Sequence, residues 1–151
     1  MPLHLSEKQF NKLLNNKSLD ENSKTNKFKN KKITVNGIHY DSTKEYERHC
    51  ELLLQEKSNI ISNLRYHKKE DKIVLIDDPL VSYIPDFCYD ENNKHIVEDF
   101  KGMQTKEFIL KKKMIISMIK KQQLDIVFRI VKYTQNGFEI TEEYSFEKMK
   151  K

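Results

Sequence analysis

The sequence has no alanine or tryptophan, and its 151 residues include only two cysteines, three glycines and three prolines. Two cysteines, Cys50 and Cys88, are too few for a disulfide scaffold, and neither belongs to a Cys-x-x-Cys pair, which indicates a reducing compartment. The three glycines form no phosphate-binding loop, which argues against an NTPase. No apolar run approaches the roughly 18 residues of a spanning helix, and no secretory signal is recognisable. We therefore expect a cytoplasmic protein that has no membrane partner.

Basic charge is the most prominent feature that the sequence does have. Lys and Arg number 28 against 23 Asp and Glu, which gives a net charge of +5 and a pI near 9.0. Such an excess is typical of proteins that bind polyanions. Abundant lysine without alanine is also typical of AT-rich coding, so the charge alone does not establish a nucleic-acid partner. Eight Phe and seven Tyr are too many for a disordered chain, and the length fits one modest core.

Composition divides the chain near residue 30. Residues 1–30 predict a short helix followed by a linker rich in Lys, Asn and Ser, whereas residues 31–151 have the apolar periodicity of a folded domain. An Asn-Gly pair between β-branched residues predicts a hairpin over 33–40. The other expected elements are helices over 42–57 and 105–121, an extended region over 64–76, strands over 81–90, 94–101, 124–133 and 138–141, and a short closing helix. The order α-β-β-β-α-β predicts an α/β or α+β domain whose sheet is flanked by helices.

Two carboxylates are expected to face each other on the central strands. A hairpin centred on Asn92 and Asn93 places Asp86 directly opposite Asp99, with the two Cβ atoms about 5 Å apart. Carboxylates at this separation repel each other, and Lys101 on the same face supplies only one positive charge. Oxygen ligands of this kind suit Mg²⁺ or Mn²⁺ as the remaining counter-charge. The alternative is a solvated surface cluster, which the apolar residues on both faces of these strands disfavour.

A third acidic residue, Glu45, has two interpretations that pattern alone leaves open. In the helix over 42–57, Tyr46, His49 and Leu53 predict the inward stripe, and Glu45 lies at its edge. Glu45 is therefore a candidate third metal ligand. It also stands three residues after Ser42, which is the spacing of a capping box in which the glutamate stabilises the start of the helix.

These residues resemble a known motif. Ile84-Pro85-Asp86, followed by Asp99-Phe100-Lys101, is similar to the PD-(D/E)XK motif of metal-dependent nucleases, and a glutamate on the preceding helix is common there. The longer phrases at 36–45, 83–87 and 97–103 resemble a small phage-borne family of that superfamily. Members of this family are labelled endonucleases or Holliday junction resolvase-like proteins.

The resemblance implies a restriction-endonuclease-like core with a mixed central sheet. It implies metal ligation by Asp86, Asp99 and Glu45, and a Lys101 that acts on the attacking water or on the scissile phosphate. The implied activity is a Mg²⁺-dependent endodeoxyribonuclease, with Mn²⁺ as a substitute and DNA as the partner, in the cytoplasm of a bacterial host. If the substrate is a four-way junction, two symmetric cuts call for a homodimer. Glu98 is expected on the opposite face of the strand and is not counted as a ligand.

The helix over 105–121 is expected to face DNA. Its predicted apolar stripe consists of Phe108, Ile109, Ile115, Ile116 and Ile119. Lys106, Lys113 and Lys120 lie on the opposite side. Lys112 falls within the apolar stripe, where it either snorkels past the sheet edge or reaches a phosphate beside the metal. Two other functions stay open: a non-catalytic DNA-binding or phage regulatory module, and an interaction protein without affinity for DNA.

Overall fold

The computed structural model describes residues 31–149, and this part of the chain forms two compact units, residues 31–58 and 59–149. The division after Ser58 falls inside the expected domain of residues 31–151. The helix and linker expected within residues 1–30 lie outside the described residues, so they stay predictions. No helix among residues 31–149 is long and apolar enough to cross a membrane.

The first unit is a hairpin followed by a helix. Strands β1 (Ile33–Val35) and β2 (Ile38–Tyr40) pair antiparallel, and helix α1 runs over Thr43–Lys57. Asn36 and Gly37 both have positive φ, at 51° and 78°. A type I′ turn requires positive φ at both central residues. The hairpin and the helix that the sequence predicts are therefore confirmed.

The buried face of α1 differs from the predicted stripe. Its buried side chains are Glu45, Tyr46, Arg48, His49 and Leu52. Leu53, which the sequence placed in the stripe, is 41% exposed, whereas Leu52 is fully buried. Tyr46 and His49 are buried as predicted, so the prediction was wrong at Leu53 alone, and Arg48 lies on the buried face without having been predicted there. The buried positions 45, 48, 49 and 52 share the i, i+3, i+4, i+7 spacing of one helical face.

The second unit contains a mixed sheet. In chain order its elements are β3 (Ser62–Tyr66), a 3-10 turn (Lys69–Asp71), β4 (Ile73–Ile76), β5 (Val81–Tyr83), β6 (Phe87–Glu91), β7 (Lys94–Phe100), α2 (Lys106–Gln122), β8 (Ile126–Thr134), β9 (Gly137–Ser145) and α3 (Phe146–Met149). Five strands form a sheet in the order β3-β6-β7-β8-β9, while β4 and β5 form a separate antiparallel pair. Among the strands of residues 31–149, β7 and β8 pair in parallel and the other pairs are antiparallel, and α2 connects β7 to β8. The expectation of a mixed α and β architecture is confirmed.

Two predicted elements are interrupted. The extended region over 64–76 is two strands on either side of the 3-10 turn, because only β3 joins the large sheet and β4 pairs with β5. The predicted strand over 81–90 is broken at residues 84–86. Pro85 has no N–H for a ladder bond and restricts the residue before it, so the chain leaves one sheet there and enters the next.

The α2 side of the sheet holds a hydrophobic core, and this core positions the candidate site. Its buried members are Tyr83, Cys88, Val97, Phe108, Ile115, Ile119, Phe128 and Ile130. The Oγ1 of Thr105 accepts a hydrogen bond of 3.2 Å from the Phe108 amide, which confirms Thr105 as the N-cap of α2. Ile109 is 36% exposed, so its place in the predicted buried stripe was wrong. The burial of Phe108, Ile115 and Ile119 follows helical spacing and fixes which side of α2 meets the sheet.

Candidate metal and nucleic-acid site

The register between β6 and β7 is the one that the sequence predicts. Phe87 pairs with Glu98 and Cys88 pairs with Val97. The turn residues Asn92 and Asn93 have φ values of 51° and 60°, as a two-residue hairpin turn requires. Continued by one residue, this register sets position 86, just before β6, against position 99 in β7.

Asp86 is anchored by main-chain groups of two neighbouring segments. Its Oδ2 accepts a hydrogen bond of 2.9 Å from the amide of Phe100, and its main-chain carbonyl accepts one of 2.8 Å from the amide of His67. The carboxylate therefore takes the place of a ladder acceptor where the strand is broken at Pro85. The residue is 9% exposed. Asp86 thus has a structural role that the sequence did not indicate.

Asp99 is a buried carboxylate with two unlike oxygens. It is 1% exposed, and its Oδ1 accepts a hydrogen bond of 2.6 Å from the hydroxyl of Tyr83. Its Oδ2 lies 2.8 Å from Nζ of Lys101. That distance makes an ion pair, yet the contact lacks hydrogen-bond geometry, so Oδ2 is a buried oxygen without a hydrogen bond in the described residues. A buried acceptor without a hydrogen bond costs free energy, and a divalent cation bound beside Lys101 would give this oxygen a direct ligand contact.

Lys101 is fixed at the end of the central strand. Its amide donates a hydrogen bond of 3.0 Å to the carbonyl of Val131, and its Nζ lies 4.6 Å from the ring centroid of Phe108. Its side chain is 27% exposed, so the ammonium lies at the boundary between core and solvent. The structure brings Asp86, Asp99 and Lys101 together at one end of the sheet. Two carboxylates against one ammonium leave this group of three side chains with a net negative charge.

Tyr83 belongs to this group, and the sequence reasoning missed it. Burial, followed by the negative charges of Asp99 and Asp86, raises the pKa of its hydroxyl well above 10, so the group is a hydrogen-bond donor at neutral pH. In one continuous strand, positions 83 and 86 would lie on opposite faces. The break at Pro85 removes that alternation. The only feature of the sequence that could have indicated Tyr83 as part of the site was therefore its position three residues before Asp86.

Glu45 makes the contacts expected of a helix cap. Its amide donates to Oγ of Ser42 at 3.1 Å, and its Oε2 accepts from the amide of Asp41 at 3.1 Å. A capping box in its usual form would bring the carboxylate to the amide of Ser42 itself. Of the three glutamates in this part of α1, only Glu45 is buried. The cap is thus present in the first unit, and ligation of a metal by Glu45 stays a prediction.

A ready-made cluster of three ligands is not present within residues 31–149: no group of three or more His, Cys, Asp or Glu side chains there could hold a metal ion. Asp86 and Asp99 form a pair. Two carboxylates are compatible with Mg²⁺, because Mg²⁺ in proteins usually keeps several waters and shares substrate phosphates as ligands. The pair is therefore the part of the expected ligand set that fits such an ion.

The lysines of α2 fall into two groups. Lys106, Lys113 and Lys120 are exposed, as the sequence predicts. Lys112 is 13% exposed, and its Nζ donates to Oε1 of Glu142 at 2.8 Å and to Gln104 at 2.8 Å. Lys112 is therefore paired with an acidic residue of β9. Neither of the two interpretations from the sequence, snorkelling or a phosphate contact, included this pair. A phosphate contact by Lys112 stays a prediction and would require this pair to open.

The carboxylate of Glu142 accepts hydrogen bonds from three side chains, which stabilise its ionised form. Burial raises the pKa of Glu142, but hydrogen bonds from Lys112, Tyr144 and Gln104 outweigh it and lower the pKa to about 2. The carboxylate is thus ionised throughout the neutral range. Gln104 follows Lys101 by three residues, and its Nε2 donates to Oε2 of Glu142 at 2.6 Å. This contact ties the segment after Lys101 to strand β9.

The opposite face of the sheet carries a separate polar network. The hydroxyl of Tyr89 donates to Glu98, and the guanidinium of Arg129 contacts Tyr89, Glu91 and Glu143 at 3.0, 3.0 and 2.9 Å. Glu98 is fully buried there. As predicted, Glu98 faces away from Asp99, and it takes no part in the candidate site.

Fold and site together define an α+β protein whose mixed sheet carries an acidic pair and a lysine at one end of its central strands. The chain belongs to the DUF1064 family, described as a protein of unknown function, whose family model matches residues 25–135. That match includes both strands of the site and all of α2. Comparison with curated proteins and with solved structures returned no match.

Proposed function

We propose that this protein is a Mg²⁺-dependent endodeoxyribonuclease. The observation that carries the proposal is the state of Asp99, a buried carboxylate with one oxygen that has no hydrogen bond, beside a second carboxylate and a lysine. Buried charge of this kind, at the end of central strands, is more typical of a functional site than of a structural ion pair. Asp86 and Asp99 would hold the ion, with Glu45 as the third ligand that the sequence resemblance implies.

The donor set suits Mg²⁺ and its substitute Mn²⁺, because both prefer carboxylate oxygens. A bound ion of this class lowers the pKa of water and stabilises negative charge on a phosphate oxygen. Lys101 contributes the protein's own positive charge at the same place. Its ammonium is partly exposed and would stabilise charge on the scissile phosphate or hold the attacking water.

The order of elements supports the proposal at the level of fold. With β4 and β5 left aside, helix α1, strands β3, β6 and β7, helix α2 and strand β8 have the order α-β-β-β-α-β, which is the order that the resemblance leads us to propose for a restriction-endonuclease-like core. The β1–β2 hairpin, the β4–β5 hairpin and strand β9 are additions to that order. Of the three motif residues, Asp99 lies in β7, Asp86 directly precedes β6 and Lys101 directly follows β7.

DNA is the proposed substrate because the chain is basic and α2 presents exposed lysines. Lys106, Lys113 and Lys120 are seven residues apart, which places them along one face of α2 about 10 Å from one another. A row of this kind contacts phosphates without reading bases, so affinity should fall steeply with salt. If the substrate is a four-way junction, the active form is a homodimer.

The test is incubation of the purified protein with supercoiled plasmid and with a synthetic four-way junction, in Mg²⁺, Mn²⁺ or EDTA. We expect cleavage with either ion and none in EDTA. Asp99→Asn should abolish cleavage, whereas Glu98→Gln, a matched change at the neighbouring buried carboxylate on the other face, should retain it. No cleavage of either substrate in Mg²⁺ or Mn²⁺ would contradict the proposal.

A second candidate function is a DNA-binding module without catalysis, whether structural or regulatory. The contacts of the two aspartates favour it: Asp86 holds the amide of Phe100, and Asp99 already has Lys101 as counter-charge. This candidate predicts DNA binding that depends on salt but not on Mg²⁺, and it predicts no cleavage with or without Mg²⁺. The same plasmid and junction assays, with binding measured in parallel, separate the two functions.

A further inference from the structure

The hydroxyl of Tyr83 reaches Asp99 from a different sheet. Tyr83 ends strand β5, which pairs with β4 in a separate two-stranded sheet, whereas Asp99 belongs to the central strand β7 of the large sheet. The 2.6 Å hydrogen bond between them therefore joins the β4–β5 pair to the five-stranded sheet within the second unit. Such a bond is not needed to complete either sheet.

Aromatic packing fixes the position of that hydroxyl. The ring centroid of Tyr83 lies 6.4 Å from that of Phe108 in α2 and 6.1 Å from that of Phe128 in β8. Tyr83 is 7% exposed, so its ring has little freedom to move. Phe128 is fully buried and meets the Tyr83 ring edge-on. The donor is thus held by the hydrophobic core and not by solvent-exposed contacts.

The bond makes the two oxygens of Asp99 inequivalent. Oδ1 receives the only proton that the Tyr83 hydroxyl can donate, while Oδ2 faces Lys101 without a hydrogen bond. The terminal torsion of an aspartate is broad, so without a donor the plane of the carboxylate could turn about that torsion. A donor fixed on one side restricts this rotation and so fixes where the second oxygen points.

We propose that Tyr83 is a positioning residue for metal binding, because it holds Asp99 in the orientation that presents Oδ2 to a divalent cation. The inference rests on the proposed function and names a residue outside the motif. Partners that orient a metal ligand typically change metal affinity by about 10- to 100-fold when they are removed. Tyr83 does not contact substrate in this account and acts only through Asp99.

The opposite face of the sheet provides a matched control. The hydroxyl of Tyr89 also donates to a buried carboxylate, that of Glu98, and Tyr89 is 1% exposed. Tyr89→Phe therefore removes the same kind of bond in the same sheet. Because it also removes the acceptor of a hydrogen bond from Arg129, it should affect folding at least as much as Tyr83→Phe does, but it should not alter the binding of a metal at Asp99.

The experiment measures Mn²⁺ binding to the full chain without DNA, by titration calorimetry and by the electron paramagnetic resonance signal of free Mn²⁺. We expect Tyr83→Phe to raise the dissociation constant about 10- to 100-fold and Tyr89→Phe to change it less than about twofold. Replacing Tyr83 with p-aminophenylalanine, which keeps a donor at the same place, should restore affinity to within about threefold of wild type. Asp99→Asn should abolish Mn²⁺ binding at this site.

Each outcome decides a different question. If wild type binds Mn²⁺ and Asp99→Asn does not, but Tyr83→Phe binds as wild type, the role of Tyr83 is overturned and the metal site stands. If p-aminophenylalanine binds as weakly as Phe, the donor is not the cause, and the inference is again overturned. If wild type and Asp99→Asn both fail to bind, the metal site itself is wrong. Should Tyr83→Phe not fold by circular dichroism, p-fluorophenylalanine fills the space of the hydroxyl without donating and is compared in its place.

Discussion

The two aspartates of the candidate site are held by different donors, a main-chain amide for Asp86 and a tyrosine hydroxyl for Asp99. An asparagine can accept either hydrogen bond through its amide oxygen, but it carries no charge. Substitution by asparagine therefore separates the structural role of each residue from its proposed role as a metal ligand. Lys101 and Glu45 allow similar separations with other substitutions.

Asp86→Asn and Asp99→Asn should each abolish metal-dependent cleavage while the protein stays folded. In Asp86→Asn we expect the free energy of unfolding without metal to change by about 1 kcal/mol or less, since the lost charge relieves repulsion between the carboxylates while the accepted hydrogen bond is kept. Asp99→Asn also removes the ion-pair partner of Lys101, so it should lower the free energy of unfolding by more than Asp86→Asn does. Plasmid cleavage and chemical denaturation measure the two effects. Cleavage at the wild-type rate by both variants would disprove the assignment of the site.

Lys101→Ala should lower the cleavage rate far more than the affinity for DNA. The ammonium lies beside the reactive position, where loss of one charge-stabilising group costs about 100-fold or more in rate. One lysine among 25 contributes little to non-specific binding, so the dissociation constant should change less than about threefold. Single-turnover cleavage and fluorescence anisotropy give the two quantities. Equal losses in both would mean that Lys101 only contacts a phosphate.

Glu45→Gln distinguishes the two interpretations of Glu45. The amide oxygen of glutamine can still accept from the Asp41 amide, so stability should stay within about 0.5 kcal/mol of wild type. If Glu45 is a ligand, as we expect, cleavage in Mg²⁺ should fall about tenfold or more, with partial recovery in Mn²⁺. Glu47→Gln, at a partly exposed position that pairs with Lys44, serves as the control. Full activity of Glu45→Gln in Mg²⁺ would leave Glu45 as a helix cap alone.

At the scale of elements, α2 connects the core to the proposed DNA surface. Its buried side chains Phe108, Ile115 and Ile119 pack on the sheet, and Phe108 also lies under the ammonium of Lys101. The exposed residues Lys106, Lys113 and Lys120 lie on a different face of the same helix. The hydrophobic contacts that fold α2 thus determine where its basic face points.

Replacing Lys106, Lys113 and Lys120 together with Gln should reduce the salt dependence of DNA binding. Each phosphate contact contributes about 0.9 to the slope of log K against log salt on duplex DNA, so the slope should fall by about 2 to 3. Anisotropy titrations at several salt concentrations measure it. Lys68, Lys69 and Lys72 around the 3-10 turn are also exposed, and their joint replacement by Gln is the charge-matched control. Equal slopes for both triple variants would mean that α2 is not part of the DNA-binding surface.

At the scale of the whole molecule, the question is what residues 1–30 contribute. The apolar periodicity of the sequence begins at Ile33, and the first strand of the structure begins at the same residue. Removal of residues 1–30 should therefore leave residues 31–151 folded. Circular dichroism and thermal unfolding of the shortened chain measure this, and an unfolded product would show that the boundary is misplaced.

Sedimentation of the full and the shortened chain shows whether residues 1–30 mediate dimerisation. Phe10, Leu13 and Leu14 are the apolar residues of the helix expected there. A loss of dimer on truncation would assign dimerisation to this segment. Weaker DNA binding with an unchanged mass would instead identify a basic arm.

Local signals in the sequence were sufficient for much of the fold. The Asn-Gly turn, the Asn92-Asn93 turn and the N-caps Ser42 and Thr105 each depend on a few adjacent residues, and all four are present in the structure. Alternation along β7 was also sufficient to place Glu98 and Asp99 on opposite faces. These features follow from backbone sterics and strand geometry, which do not depend on distant parts of the chain.

Features that depend on contacts between distant segments could not be predicted in this way. The break at Pro85 and the pairing of β4 with β5 decide that Tyr83 meets Asp99, and no spacing in the sequence encodes that contact. The pairing of Lys112 with Glu142 joins residues 30 positions apart and was likewise missed.

The sequence by itself thus determined the main elements, the register of the central hairpin and the grouping of Asp86, Asp99 and Lys101. Only the tertiary structure decided which oxygen of Asp99 lacks a hydrogen bond, which tyrosine holds the other, and which lysines of α2 stay exposed. The physical reason is how far apart in the sequence the interacting residues lie. Turns, caps and alternation are set by neighbours in the chain, whereas burial and hydrogen-bond satisfaction are set by whatever the completed core brings together.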